Sequence, residues 1–421
     1  MSPRPKIALV HHNLLQNKGG GDFVAAWLLD ALHQSFDLSY LTWGQTIDWN
    51  ALNSYYGTRI DPSRVTTYYC PSLTLLKAHQ RPFRLILALY ERFVKQLAPR
   101  FDLLISTYNE FDFGVPGIQY IHGPSRSTLG AQLYLSQYKE SGWRKLYYRL
   151  CDQISHFQPD HILQNTTLVN SIWGKDVFQR TYPGTDAEVV YPPVVLPGNN
   201  PAPWEQRHTG FLCVGDLLPE KKVDQAVLLI RQLREKGFSV DLHLIGDGKS
   251  PYAERVKRMA NPAQGIFWEG RLNRAGITSL MNRFQYGIHM RDFEGFGIAI
   301  AEMISGGMIP FAHEGGGQAE VLGNDSRILW KDPDDALQKI IRLLQDKALQ
   351  IAVQTTLLER SREFTLEKFQ EKIHQIVERT LTKQSPGPGD CVAIRHPRRS
   401  LAGDPRIAND NDGFPARDCG E

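Results

Sequence analysis

The sequence is poor in the features that mark metal-built, disulfide-built or membrane-spanning proteins. Its five cysteines (Cys70, Cys151, Cys213, Cys391, Cys419) are scattered, without a C-x-x-C pair or a histidine at ligand spacing, which argues against a structural zinc site or a disulfide scaffold. Reduced thiols in a cytoplasmic protein are the expectation. No apolar run reaches the roughly 18 residues of a spanning helix, and M-S-P-R-P-K-I-A-L-V enters a strand without the apolar region of a signal peptide, so any membrane contact should be peripheral. A net charge of only +3 gives no reason to expect nucleic acid as a partner. Repeats of fixed period are absent. The dinucleotide fingerprint G-x-G-x-x-G is also missing after the first strand.

What is present is a chain of 421 residues, 42% hydrophobic, enough for two or three domains with real cores. Short apolar runs predict strands at 7–10, 38–42, 103–106, 118–121 and 161–164, and again at 210–214, 241–245, 266–268, 286–290 and 308–312. Helical patterns start at Asp22 and extend to Leu32, follow the 215–224 loop through Leu233, and cover 334–344 and 361–381. Alternation of strands and helices predicts an α/β protein whose first half opens with the strand, glycine loop and helix of a nucleotide-fold domain and whose second half restarts the pattern. Expected boundaries are an N-terminal domain over 1–197, a linker at 198–204 (G-N-N-P-A-P-W), a second domain over 205–360, a last helix over 361–382 and a disordered tail over 383–421. In that tail Asp410-Asn411-Asp412-Gly413 lacks the flanking elements and the bidentate glutamate of a calcium loop.

The chemistry concentrates at 291–302, R-D-F-E-G-F-G-I-A-I-A-E, with E-G-G-G-Q-A-E behind it at 314–320. Gly295 and Gly297 bracket Phe296 where a strand gives way to a helix, and glycine lets backbone approach a ligand closely. Free N–H groups at the helix start suit a phosphate or a sugar. Glu294 precedes the helix and Glu302 lies about two turns further on, so the two reach different parts of one elongated ligand. Gly316 and Gly317 bring further N–H groups to the same sheet edge. One such loop alone reads equally well as turns and solvated charges; two in succession favour a site.

The Glu294 and Glu302 spacing around G-F-G, followed by G-G-Q-A-E, resembles the E-x7-E signature of retaining glycosyltransferases of family 4, which have the GT-B fold: two Rossmann-like domains facing across a cleft, with a C-terminal helix crossing back to the first. The strings Y-I-H-G-P, Y-P-P and G-I-H-M-R-D-F-E-G-F-G-I-A-I-A-E-M look most like the branch that adds α-1,2-linked mannose to a lipid-linked oligosaccharide. The resemblance implies Glu302 on the nucleotide ribose, Glu294 on the donor sugar, and His122 as the active-site histidine at a strand end. It implies Lys221 on the diphosphate, with Gly215, Arg271, Gly295, Phe296, Gly297, Gly316 and Gly317 around the donor, and the glycines Gly19, Gly20 and Gly21 on the opposite wall. Where the family carries an arginine in the phosphate loop, this chain has Asp216. Lys222, Arg271 or Arg291 would then have to supply the charge.

The expected function is therefore retaining, metal-independent transfer of a hexose from a nucleotide-sugar to a glycan or lipid-linked acceptor, without cofactor; GDP-mannose is the first donor expected and a UDP-sugar the second. Alternatives on the same fold are a nucleotide-sugar epimerase, a glycan phosphorylase, or a non-catalytic subunit that lost diphosphate binding through Asp216. Two basic, aromatic stretches, 75–100 and 143–150, suit the cytoplasmic face of an anionic membrane, or are the solvated faces of ordinary amphipathic helices.

Overall fold

A computed structural model of the protein describes residues 3–16, 19–75, 83–124, 126 and 142–384. The described residues up to Leu381 pack as one compact unit, the first of two into which the chain divides; 385–421, including the Asp410 to Gly413 stretch, lie outside the described residues.

The first unit contains two parallel sheets. Strands β1 (Lys6–Val10), β2 (Asp37–Thr42), β3 (Val65–Tyr69), β4 (Leu103–Ser106), β5 (Ile118–Ile121), β6 (Thr166–Val169) and β7 (Glu188–Val189) lie in the order β3-β2-β1-β4-β5-β6-β7. Strands β8 (His208–Val214), β9 (Asp241–Ile245), β10 (Ile266–Gly270), β11 (Phe284–His289), β12 (Ile309–His313) and β13 (Leu329–Trp330) lie in the order β10-β9-β8-β11-β12-β13. Both orders reverse direction once, between β1 and β4 and between β8 and β11. In open α/β sheets a ligand crevice forms outside the carboxyl ends of the strands at such a point. This is the GT-B architecture that the alternating pattern and the E-x7-E corner led us to expect.

Strand β1 shows why the sequence reads this way. Ile7 and Leu9 enter one apolar cluster with the Gly20–Leu32 helix, while Ala8 and Val10 enter another with Tyr90 and Phe111, so alternate residues are buried on opposite faces. The Leu366–Gln384 helix crosses back: Phe369, Ile373, Ile376 and Val377 are buried in the core of the first sheet.

One strand expectation is corrected. Residues 161–164 are helical, part of Pro159–Gln164, and the strand is β6, Thr166–Val169. Pro159 occupies the first helical turn with Asp160 beside it, a start signal that outweighs the apolar His-Ile-Leu run. The 334–361 region also differs: two helices, Pro333–Gln345 and Lys347–Ser361, stand where only one was expected.

Candidate active site

Loops from both switch points line one cavity of about 370 Å³. Its lining includes Gly19, Gly20, Gly21, His122, Gly215, Lys221, Glu294, Gly295, Phe296, Gly297 and Glu302. Arg271, Gly316 and Gly317 do not line it.

The corner after β11 is built from the inside out. Gly297 adopts φ of 93°, a left-handed conformation that favours glycine, and caps the Ile298–Ser305 helix. Behind it, Glu294 bridges Gly316 as an isolated strand pair, and the Gly317 N–H donates to the Glu294 carbonyl at 2.8 Å. A Cβ at Gly317 would lie 2.1 Å from the Gly295 carbonyl oxygen, so only glycine lets the two loops touch. The second glycine loop thus props the first.

Glu294 is caught among cations. Lys221 Nζ donates to its Oε1 at 2.7 Å, and Arg291 Nη1 lies 3.0 Å and His289 Nε2 3.9 Å from its Oε2. Burial alone would push this carboxyl up, yet His289, Lys221 and Arg291 together hold it well below the usual carboxylate range. Glu302 is in the opposite state. Only 2% exposed, it faces Arg274, whose Nη1 lies 2.6 Å from Oε1, and burial pushes its carboxyl up despite that arginine.

The facing wall comes from the first sheet. Asp22, at the third position of the Gly20–Leu32 helix, accepts the Gly19 N–H at 2.6 Å through Oδ2. Its Oδ1 lies 3.0 Å from His11 Nε2 and 2.5 Å from His12 Nε2. These three are the one group among the described residues with metal-ligand spacing, but their hydrogen bonds to one carboxylate already account for it. Although burial opposes it, bonds from His11 and His12 keep Asp22 ionised to well below the usual range. His122 follows β5; Asn109 Oδ1 accepts its backbone N–H at 2.8 Å. Its Nε2 is buried without a hydrogen-bond partner and would lie 3.3 Å from a Cβ at Gly21. Burial, followed by the neighbouring His11, lowers His122 to about 4, so it is neutral at physiological pH.

The two walls also meet directly. Ser171 Oγ donates to the Gly295 carbonyl at 2.6 Å, and Glu320 Oε2 accepts the Ile172 N–H at 2.7 Å, at the start of the Ile172–Thr181 helix.

The cations considered as substitutes at Asp216 all have carboxylate partners. Arg271 pairs with Asp216 itself at 2.8 Å, both half-exposed, Lys222 donates to Asp292 Oδ1 at 2.7 Å, and Arg291 faces Glu294. Sequence reasoning missed Arg274, Asp22, His11 and His289. Asp22 had a signal, since an acidic residue at the third helical position after a glycine run reads as a capping box. Arg274 had none, because its partner Glu302 is distant in sequence.

Residues 201–357 match the family described as Glycosyl transferases group 1. That stretch, which holds strands β8 to β13, is thus similar to a group 1 glycosyl transferase domain. A Dictyostelium discoideum GDP-Man:Man(3)GlcNAc(2)-PP-Dol alpha-1,2-mannosyltransferase is 25% identical over 197 residues, spanning 42% of this chain and 38% of that protein. The Caenorhabditis elegans protein of the same name is 22% identical over 75% of this chain and 77% of its own length. Among solved structures, Anabaena HepE in complex with UDP and glucose superposes with a TM-score of 0.63 at 15% identity, covering 89% of this chain and 99% of that one. In the GT-B architecture of the first unit, the stretch that matches the family stands on one side of the cavity and the loops after β1 and β5 on the other.

Proposed function

We propose that the protein moves a hexose, mannose from GDP-mannose first, to a glycan or lipid-linked glycan acceptor, with retention of configuration and without metal. The observation that carries this reading is the single cavity in which Glu294, Lys221 and Glu302 face neutral His122 and the Gly19 to Gly21 loop. Glu302 would accept donor ribose hydroxyls, and Lys221 with the start of the Ile298–Ser305 helix would neutralise the diphosphate. Glu294 is ionised and fixed, which suits an acceptor for sugar hydroxyls. His122 Nε2, unpartnered and neutral, suits a hydrogen bond to the transferred sugar rather than a charge.

In the transfer, the bond from the anomeric carbon to the leaving phosphate oxygen breaks while the acceptor oxygen bonds the same face. The acceptor proton passes to the departing phosphate. The names of the two curated relatives support mannose and a lipid-linked acceptor; the UDP and glucose of the HepE complex keep UDP-sugars in the test.

A membrane seat fits one helix. No described helix is long and apolar enough to cross a membrane. The Gly142–Ser155 helix exposes Trp143, Leu146 and Leu150 at one-face spacing, flanked by exposed Lys145 and Arg149. The 75–100 stretch contributes less. Arg84 pairs with Asp152 at 2.7 Å and Lys95 with Asp112 at 2.6 Å, while Lys77 and Arg81 lie outside the described residues.

A thermal-shift screen of the full chain against nucleotide-sugars, followed by incubation of the stabilising donor with a lipid-linked glycan, tests the proposal. Transfer of one hexose that Glu294→Ala abolishes is the expected result. An active Glu294→Ala protein, epimerised free donor, or no stabilisation by any nucleotide-sugar would overturn it.

A further inference from the structure

Arg274 belongs to no group of residues that the sequence singled out, yet it touches three parts of the molecule. It opens the Arg274–Met281 helix, which Asn273 caps by accepting the Gly276 N–H at 2.8 Å. From there its side chain, only 16% exposed, turns into the cavity. Nη1 is held by Glu302 at 2.6 Å, in the stretch that matches the family. Nη2 donates at 2.7 Å to the carbonyl of Val195, in the segment that joins the two sheets. The guanidinium carbon lies 5.1 Å from the centre of the Phe23 ring, on the helix that carries the Gly19 to Gly21 loop.

The two ends of this side chain differ in what they would give up. Removing Nη1 from Glu302 would leave a buried carboxyl without its cation, so that contact persists. Nη2 is bound to a neutral carbonyl. Exchanging it for a phosphate oxygen would replace a neutral acceptor by a charged one, and charge-assisted hydrogen bonds are roughly twice as strong. Like Arg274, the cations Lys221, Lys222, Arg271 and Arg291 each have a carboxylate partner, but Arg274 also has a second arm on a neutral carbonyl.

We propose that Arg274 is a donor-responsive clasp: fixed to Glu302 by Nη1, it turns Nη2 from Val195 to the donor diphosphate and so couples nucleotide binding to release of the inter-sheet segment. This rests on the reading of the cavity as a nucleotide-sugar site. Arg274 and Lys221 then approach the diphosphate as two cations, each anchored by one glutamate of the E-x7-E pair. The role is one of donor binding and positioning.

The test uses the full chain and calorimetry with guanosine, GMP and GDP, or the uridine series if that binds wild type more tightly. Arg274→Gln should weaken the nucleoside diphosphate at least about tenfold while changing the free nucleoside by less than about twofold. Arg274→Lys, which keeps the charge on Glu302 but has no second donor arm in a fixed fork, should fold as wild type and recover only part of the diphosphate affinity. Equal weakening of nucleoside and diphosphate in Arg274→Gln, or full affinity in Arg274→Lys together with an unchanged Arg274→Gln, would overturn the clasp. If Arg274→Gln does not fold, the Arg274→Lys comparison decides: a selective loss for the diphosphate supports the clasp, and no loss overturns it. Wild type that binds neither series overturns the nucleotide-sugar reading itself, and the clasp with it.

Discussion

Glu294 and Glu302 belong to one short motif and sit against one cavity, but their surroundings drive them in opposite directions. Glu294 lies before the helix at a loop where three cationic or polar partners converge, and its carboxyl is held low. Glu302 lies inside the helix, 2% exposed, with a single arginine, and its carboxyl is pushed up. The difference shows how surroundings separate two identical residues: convergent charge makes one a fixed anion, whereas burial with a single cationic partner raises the carboxyl of the other.

The comparison is broken most severely by removing the fixed anion. Glu294→Gln should lower transfer by about a thousandfold or more in steady-state kinetics while nucleotide affinity changes little, since Lys221 is then free for phosphate. Glu302→Gln should act on the other side of the ledger and raise donor KM by roughly tenfold to a hundredfold with a smaller change in kcat. A pair of variants with the same kinetic signature would erase the contrast.

The facing wall sharpens it through pH. His11 and His122 are each held near 4 by burial, below the roughly 6.5 of an unfolded histidine. Because the folded pKa is the lower one, the folded state resists protonation. Stability is therefore full above about pH 6.5 and declines as pH falls from there towards 4. Urea midpoints measured across that window should fall in wild type and fall less steeply in His122→Gln. Smaller still, Asp22→Asn should cost roughly 2 kcal/mol of unfolding free energy by weakening the bonds to Gly19, His11 and His12, and should raise donor KM through a loosened glycine loop. The smallest effect is expected at the Gly142–Ser155 helix, where Trp143→Ser with Leu146→Ser should reduce sedimentation with anionic vesicles and leave transfer to a soluble acceptor unchanged.

Much of this was legible in the chain. Strands β4, β5 and β9 could be bounded from apolar runs between turn residues, and the glycine pattern at 295–297 and 315–317 pointed to two loops at one sheet edge. Beside it, the segment 161–164 shows the limit. An apolar His-Ile-Leu run carries no period of its own, and a proline at the first helical turn decided the local structure. Side-chain partners across the cavity were beyond reach for a different reason. Lys221 meets Glu294 only once the loops after β8 and β11 are brought together by the sheet order, Arg274 reaches Glu302 from the start of the helix after β10, and nothing local in these segments encodes either pairing. Asp216 illustrates the same point: it reads as a misplaced charge until Arg271 is found beside it at 2.8 Å.

The most direct measurement is calorimetric titration of wild type, Glu294→Gln and Glu302→Gln with GDP-mannose and GDP, with the corresponding uridine nucleotides in parallel. One-to-one binding in wild type, kept in Glu294→Gln and weakened in Glu302→Gln, is the result expected. Absence of nucleotide binding in wild type, or binding lost in Glu294→Gln and kept in Glu302→Gln, would contradict the division of roles between the two carboxylates.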